Sequence, residues 1–194
     1  KSEAVDANQT AVALSPQDAA AHYNLGNTLQ ELGRLDEALA SYTQAIALKP
    51  DYAEAHYNLG NTLQELGRLD EAEASYTQAI ALKPDYAQAH YNLGNTLKEL
   101  GRLDEAEASY TQAIAFRPDF TDAHYNLGNT LKELGRLDEA KTSYTQAIAL
   151  KPDYAQAHSN LGGTLQELGR IDEAKTSYTQ AIAFKPDFAE AHYN

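Results

Sequence analysis

The 194-residue sequence contains no cysteine, no methionine and no tryptophan. Without cysteine there is no disulfide framework, no thiolate nucleophile and no cysteine-based zinc site. No run of about 18 apolar residues occurs, so insertion into a membrane is not expected. The N-terminal stretch also lacks the basic, apolar and small-residue regions of a secretory signal. Basic residues are scarce, with 15 Lys and Arg against 28 Asp and Glu and a formal net charge of −13. A protein that grips a phosphate backbone needs clustered Lys and Arg, so nucleic acid is not an expected partner. The acidity reads as a solvated surface.

What is present is regular. All six prolines (Pro16, Pro50, Pro84, Pro118, Pro152, Pro186) and all six histidines (His22, His56, His90, His124, His158, His192) step by 34 residues. A fixed period of this length signals a repeat architecture. It divides the chain into five units, 19–52, 53–86, 87–120, 121–154 and 155–188, read as one continuous solenoid. Residues 189–194 open a sixth unit. In 1–18, Ala4, Ala11, Leu14 and Pro16 fall one period before Ala38, Ala45, Leu48 and Pro50, which makes this stretch the second helix of a diverged earlier unit. Both ends cut through repeats, so the array is expected to continue in a longer protein.

Each unit reads as two helices. In 19–52, His22, Leu25, Gly26, Leu29 and Leu32 recur at spacings of three and four, one face of a helix A. Gly33 suits the left-handed position that ends a helix. Leu35, Ala38, Tyr42, Ala45, Ile46 and Leu48 form the inward face of a helix B. Its first turn carries Asp36 and Glu37, as the helix dipole favours, but no strong N-cap precedes it. Pro50 stops it from running into the next unit. A mid-helix glycine costs about 1 kcal/mol relative to alanine. Gly26 therefore predicts close approach of helix B, with Ala38 or Ala45 opposite.

These residues resemble the tetratricopeptide repeat. The Leu-Gly pair appears as Leu59-Gly60, the small residues as Ala72 and Ala79, the aromatic as Tyr76 and the proline as Pro84. Two positions depart: His56 stands where Trp is usual and Leu63 where Tyr is usual. The resemblance implies an all-α fold, a right-handed superhelical solenoid of antiparallel helix pairs. In such arrays helices A line a concave groove and helices B form the outer surface. One pair cannot bury its own apolar faces, so neighbours must stack.

Fold alone does not give function. Tyr23, Asn24, Asn27, Gln30 and Glu31 lie on helix A rotated away from the core stripe, and the resemblance makes them groove residues. One column runs Asn24, Asn58, Asn92, Asn126 and Asn160, continued by Asn194. A second runs Asn27, Asn61, Asn95 and Asn129 and ends at Gly163; a third runs Tyr23, Tyr57, Tyr91 and Tyr125 and ends at Ser159. An Asn amide offers two donors and an acceptor oxygen, which matches the N–H and C=O of an extended peptide. The arrangement is similar to the asparagine ladder of O-linked N-acetylglucosamine transferases, and that similarity implies peptide binding with little regard to sequence. The tyrosines would add rigid apolar contact. Lys98 and Lys132 come together mid-groove and are expected to favour an acidic ligand residue.

Other readings weigh against this one. Asn columns also suit bonding across to the next repeat. Carboxylate-clamp repeats resemble this fold but need Lys where Tyr57 and Tyr91 stand, so a clamp is not expected. Equivalent histidines in stacked units would lie about 10 Å apart, whereas zinc needs ligands within about 2 Å. The histidines therefore read as packing residues, with neither metal nor cofactor expected. No nucleophile triad, phosphate loop or carboxylate pair stands out, so no catalytic residue is expected. The partner is a protein or peptide segment. Alternatives are end-to-end homo-oligomers, since cut repeats leave apolar end faces, and a substrate-recruiting arm of a larger glycosyltransferase-like enzyme.

Overall fold

The computed structural model describes residues 2–185. The sixth unit at 189–194, including His192, Tyr193 and Asn194, lies outside the described residues. The chain divides into two compact units, Lys1–Leu100 and Gly101–Asn194. Unit one holds α1 (Ser2–Leu14), α2 (Ala19–Glu31), α3 (Leu35–Leu48), α4 (Ala53–Glu65), α5 (Leu69–Leu82) and α6 (Ala87–Glu99). Unit two holds α7 (Leu103–Phe116), α8 (Thr121–Glu133), α9 (Leu137–Leu150), α10 (Ala155–Glu167) and α11 (Ile171–Phe184). The described residues contain no strand. None of their helices is long and apolar enough to cross a membrane.

Helix ends follow from turn chemistry. Gly33 sits at φ 71°, and its equivalents Gly67, Gly101, Gly135 and Gly169 are alike. After α2, Arg34 N–H donates to Leu29 O and Gly33 N–H to Gln30 O, both at 2.9 Å, the double bond pattern that closes a helix at a left-handed residue. Helix B starts without a side-chain cap, as the sequence suggests. Instead Arg34 grips Glu37, three residues on, through Nε and Nη2 at 2.6 Å each. The histidines serve the turns between pairs: His56 Nε2 donates to Pro50 O at 3.0 Å, and His90 to Pro84 O at 2.9 Å. They are clasps at the edge of the core, with His22, His56 and His124 only half-buried.

The core repeats as well. Ala72, Tyr76 and Ala79 of α5 are fully buried, with Leu63 of α4 beside them. Leu59 touches both this cluster and the preceding one around Leu29 and Tyr42, so each cluster shares a leucine with its neighbour. Leu161 does the same in unit two. Gly26 is indeed a point of close approach, but Ala38 and Ala45 are not what faces it. A Cβ there would lie 2.6 Å from Cε1 of the Tyr42 ring, and Gly60 stands 2.7 Å from Tyr76 in the same sense. The glycine makes room for an aromatic ring because a fully buried tyrosine, not an alanine, fills the space between paired helices.

Candidate functional site: the asparagine and tyrosine face

The helix A faces carry the three columns. Asn24 is exposed, while Tyr23, Asn27, Tyr57, Asn58, Asn61, Tyr91, Asn92, Asn95 and Lys98 are half-buried in unit one. In unit two Tyr125, Asn126, Asn129, Lys132 and Asn160 are half-buried, and Ser159 is buried. This face is not set apart from packing, as the helical spacing alone suggests. Asn58 Nδ2 donates to Tyr23 Oη at 3.1 Å and to Asn27 Oδ1 at 2.8 Å, both in the preceding pair. Asn27 Oδ1 also accepts from Tyr42 Oη at 2.8 Å. The same rung recurs from Asn92 to Tyr57 and Asn61, and from Asn160 to Tyr125 and Asn129. The ladder thus fastens one helix pair to the next.

The network fixes the orientation of each amide. Burial pushes the phenols of Tyr42, Tyr76 and Tyr144 well above the usual tyrosine range, so they remain protonated donors. A phenol that donates to Asn27 makes that group the carbonyl end, and its Nδ2 points elsewhere. Among the described residues, Asn27, Asn61 and Asn129 make no hydrogen bond through Nδ2, and Asn58 and Asn160 accept none at Oδ1. The rungs of Asn27 with Asn58 and of Asn129 with Asn160 thus keep one amide oxygen and one amide NH2 unused. In the rung of Asn61 with Asn92, the Asn92 oxygen accepts from Gln88 Nε2 at 3.4 Å.

In unit one this face holds a cleft of about 310 Å³ lined by Gln30, Asn61, Gln64, Glu65, Asn92 and Glu99. Gln30 Nε2 donates to Glu65 Oε1 at 3.0 Å and Gln64 Nε2 to Glu99 Oε1 at 3.2 Å, one pair to the next. Lys132 takes the place of these glutamines in unit two and forms an ion pair with Glu167 at 3.0 Å. Lys132, which the sequence assigns to an acidic ligand residue, is thus paired within the chain. Glu65 and Glu99 stand one and two periods after Glu31, the column that sequence reading put on this face. Sequence reading missed Tyr52, Tyr86 and Tyr154, whose rings lie tilted against Tyr23, Tyr57 and Tyr125 at 4.8–4.9 Å between centroids. Their signal was available: each follows a repeat proline by two positions.

Stacked helix pairs, joined within each unit by side-chain hydrogen bonds, define a helical-repeat scaffold. The chain belongs to the tetratricopeptide repeat family. A model described as TPR repeat matches residues 2–33, 27–67, 128–169 and 164–194, and two tetratricopeptide repeat models match 57–121 and 109–142. No curated protein matches. Among solved structures the chain is similar to YrrB, described as a TPR protein with an unusual peptide-binding site, at 27% identity over 98% of each chain and a TM-score of 0.86. It is also similar to MamA, at 26% identity over 86% of this chain and 97% of that one, with a TM-score of 0.81. The likeness to pilF of Pseudomonas aeruginosa, 20% identical over 89% of this chain and 79% of that one with a TM-score of 0.77, concerns the fold alone. These matches fit a protein-interaction role, and no enzymatic family is among them.

Proposed function

We propose that the asparagine and tyrosine face binds an extended peptide segment of a partner protein, chiefly through its backbone. The observation that carries this reading is the unused amide groups on the rungs of Asn27 with Asn58 and Asn129 with Asn160, and the unused NH2 of Asn61. Once the stacking bonds are made, Asn27, Asn61 and Asn129 offer an NH2 and Asn58 and Asn160 offer an oxygen. An extended peptide presents one donor and one acceptor per residue, so a rung with both groups unused supplies matching partners. The ladder is held in place before the ligand arrives, which limits the entropy cost of binding. The similarity to a peptide-binding repeat protein supports the same reading.

The test must separate ladder from stack. Asn61→Asp and Asn129→Asp keep the oxygen that accepts from the tyrosine and from the next asparagine. They replace the outward NH2 with a second acceptor oxygen and add a negative charge. Screened against a library of extended peptides, the wild-type chain should retain binders that the double variant loses, with thermal midpoints close together. No binder for the wild-type chain, or binders indifferent to both changes, would overturn the proposal.

A second reading is end-to-end self-association. On α1 the Ala4 and Ala11 positions are exposed and Leu14 is 80% exposed, whereas the equivalent Ala38 and Ala45 are fully buried. That apolar strip is the face that helix A covers in the pairs that follow.

A further inference from the structure

On its helix B side, unit two carries two clefts of one design. The first lies between α7 and α9, is floored by Leu127 and Leu131 of α8, and holds about 270 Å³. The second lies between α9 and α11, is floored by Leu161 and Leu165 of α10, and holds about 360 Å³. Their rims differ at one charged position. In the first, Arg136 holds Glu139 through Nε and Nη2 and donates from Nη1 across the cleft to Glu107. In the second, Arg170 holds Glu173 in the same way at 2.7 and 2.6 Å, but Lys141 stands where Glu107 stood. Two cations cannot close the cleft. Among the described residues Nη1 of Arg170 has no acceptor; Lys141 Nζ lies 3.7 Å from the exposed Asp138 and also helps lower the pKa of Glu173, whose main partner is Arg170.

We propose that the cleft between α9 and α11 docks a partner helix presenting an aliphatic side chain and a carboxylate one turn apart. The aliphatic group rests on Leu161 and Leu165. The carboxylate takes, on Arg170 Nη1 and Lys141 Nζ, the place that Glu107 takes on Arg136. The neighbouring cleft is the precedent: with the same floor and the same arginine, a carboxylate fills that seat from within the chain. Residues four apart on a helix lie side by side, which suits one apolar and one charged contact in a groove between two helices. This surface is separate from the asparagine face, so variants of one leave the other intact.

The experiment titrates the isotope-labelled full chain with two synthetic helical peptides, identical except for Glu or Lys four residues before a Leu. The Glu peptide should shift the amide signals of Lys141, Leu161 and Arg170 and bind about tenfold or more tightly than the Lys peptide. Lys141→Glu restores the cross-cleft pair and should abolish the shifts. Glu107→Lys opens the first cleft and should add a second site, read at Leu127 and Leu131. Both substitutions lie on the surface, and a thermal melt verifies that each variant is folded. The proposal is overturned if neither peptide perturbs the cleft or if both bind alike. It also fails if Lys141→Glu changes nothing, or if Glu107→Lys adds no site.

Discussion

Gly60 and Tyr76 act as one unit. The ring fills the space a side chain on Gly60 would need, and its hydroxyl donates to Asn61 Oδ1 at 2.9 Å and Gln64 Oε1 at 3.0 Å. Held at both ends, the ring has little room to retreat. Alanine is favoured over glycine in a helix by about 1 kcal/mol. Overpacking a close-packed core costs about 1–3 kcal/mol. The second effect should win, so Gly60→Ala is expected to lower the urea midpoint, and an unchanged or raised midpoint would show that the ring moves freely. The sequence disclosed that Gly60 marks a close approach. It did not disclose the neighbour, because helical spacing puts Ala72, Tyr76 and Ala79 on the same inward face and only the crossing of the two helices selects among them.

At the scale of the helix, the start of each helix B is held by an arginine just before it and a glutamate in its first turn. The Arg34 and Arg68 guanidiniums hold the Glu37 and Glu71 carboxyls below the ordinary carboxylate range, through the hydrogen bonds they donate. A carboxyl with a lowered folded value stabilises the fold fully above its unfolded value, about 4.3. That contribution is lost as pH falls through the folded value. Both groups are solvent-exposed, so the effect is small for each pair. The thermal midpoint should be level from neutral pH to about pH 5 and fall below about pH 4. In Arg34→Gln with Arg68→Gln the fall should be shallower, and identical acid limbs would exclude the pairing as its cause. The helices themselves were legible: Gly33 ends α2 and Pro50 follows α3 as the turn chemistry requires. The Arg–Glu grip was not, since both residues also suit a merely solvated surface.

For the molecule as a whole, the exposed strip on α1 leads to an expectation about solution state. Ala4, Ala11 and Leu14 present an apolar face that no helix among the described residues of unit one covers, the face that a helix A or a second copy of the chain can take. Faces of this kind stack head to tail when the complementary end is available. Light scattering should show mass rising with concentration, and Leu14→Ser with Ala11→Glu should hold the chain monomeric. A constant monomer mass over the whole range would sink the second reading of function and leave the peptide-binding reading untouched. The net charge of −13 opposes association at low ionic strength, so added salt should promote it if the face is used.

The period of 34, the glycine and proline punctuation and the alternating apolar stripes determined by themselves that this chain forms paired helices of the tetratricopeptide repeat kind. Those features act over a few residues, and each repetition states them again. What the asparagines do was decided only by tertiary structure. A helical wheel places Asn58 away from its own pair, but it holds no information about the pair before it. Stacking brings Tyr23 and Asn27 within reach of Asn58, spends its NH2 on the stack and leaves its oxygen unused. Likewise the exchange of Glu107 for Lys141 reads as surface drift along the chain, and becomes a difference between two clefts only where an arginine from the next repeat stands opposite.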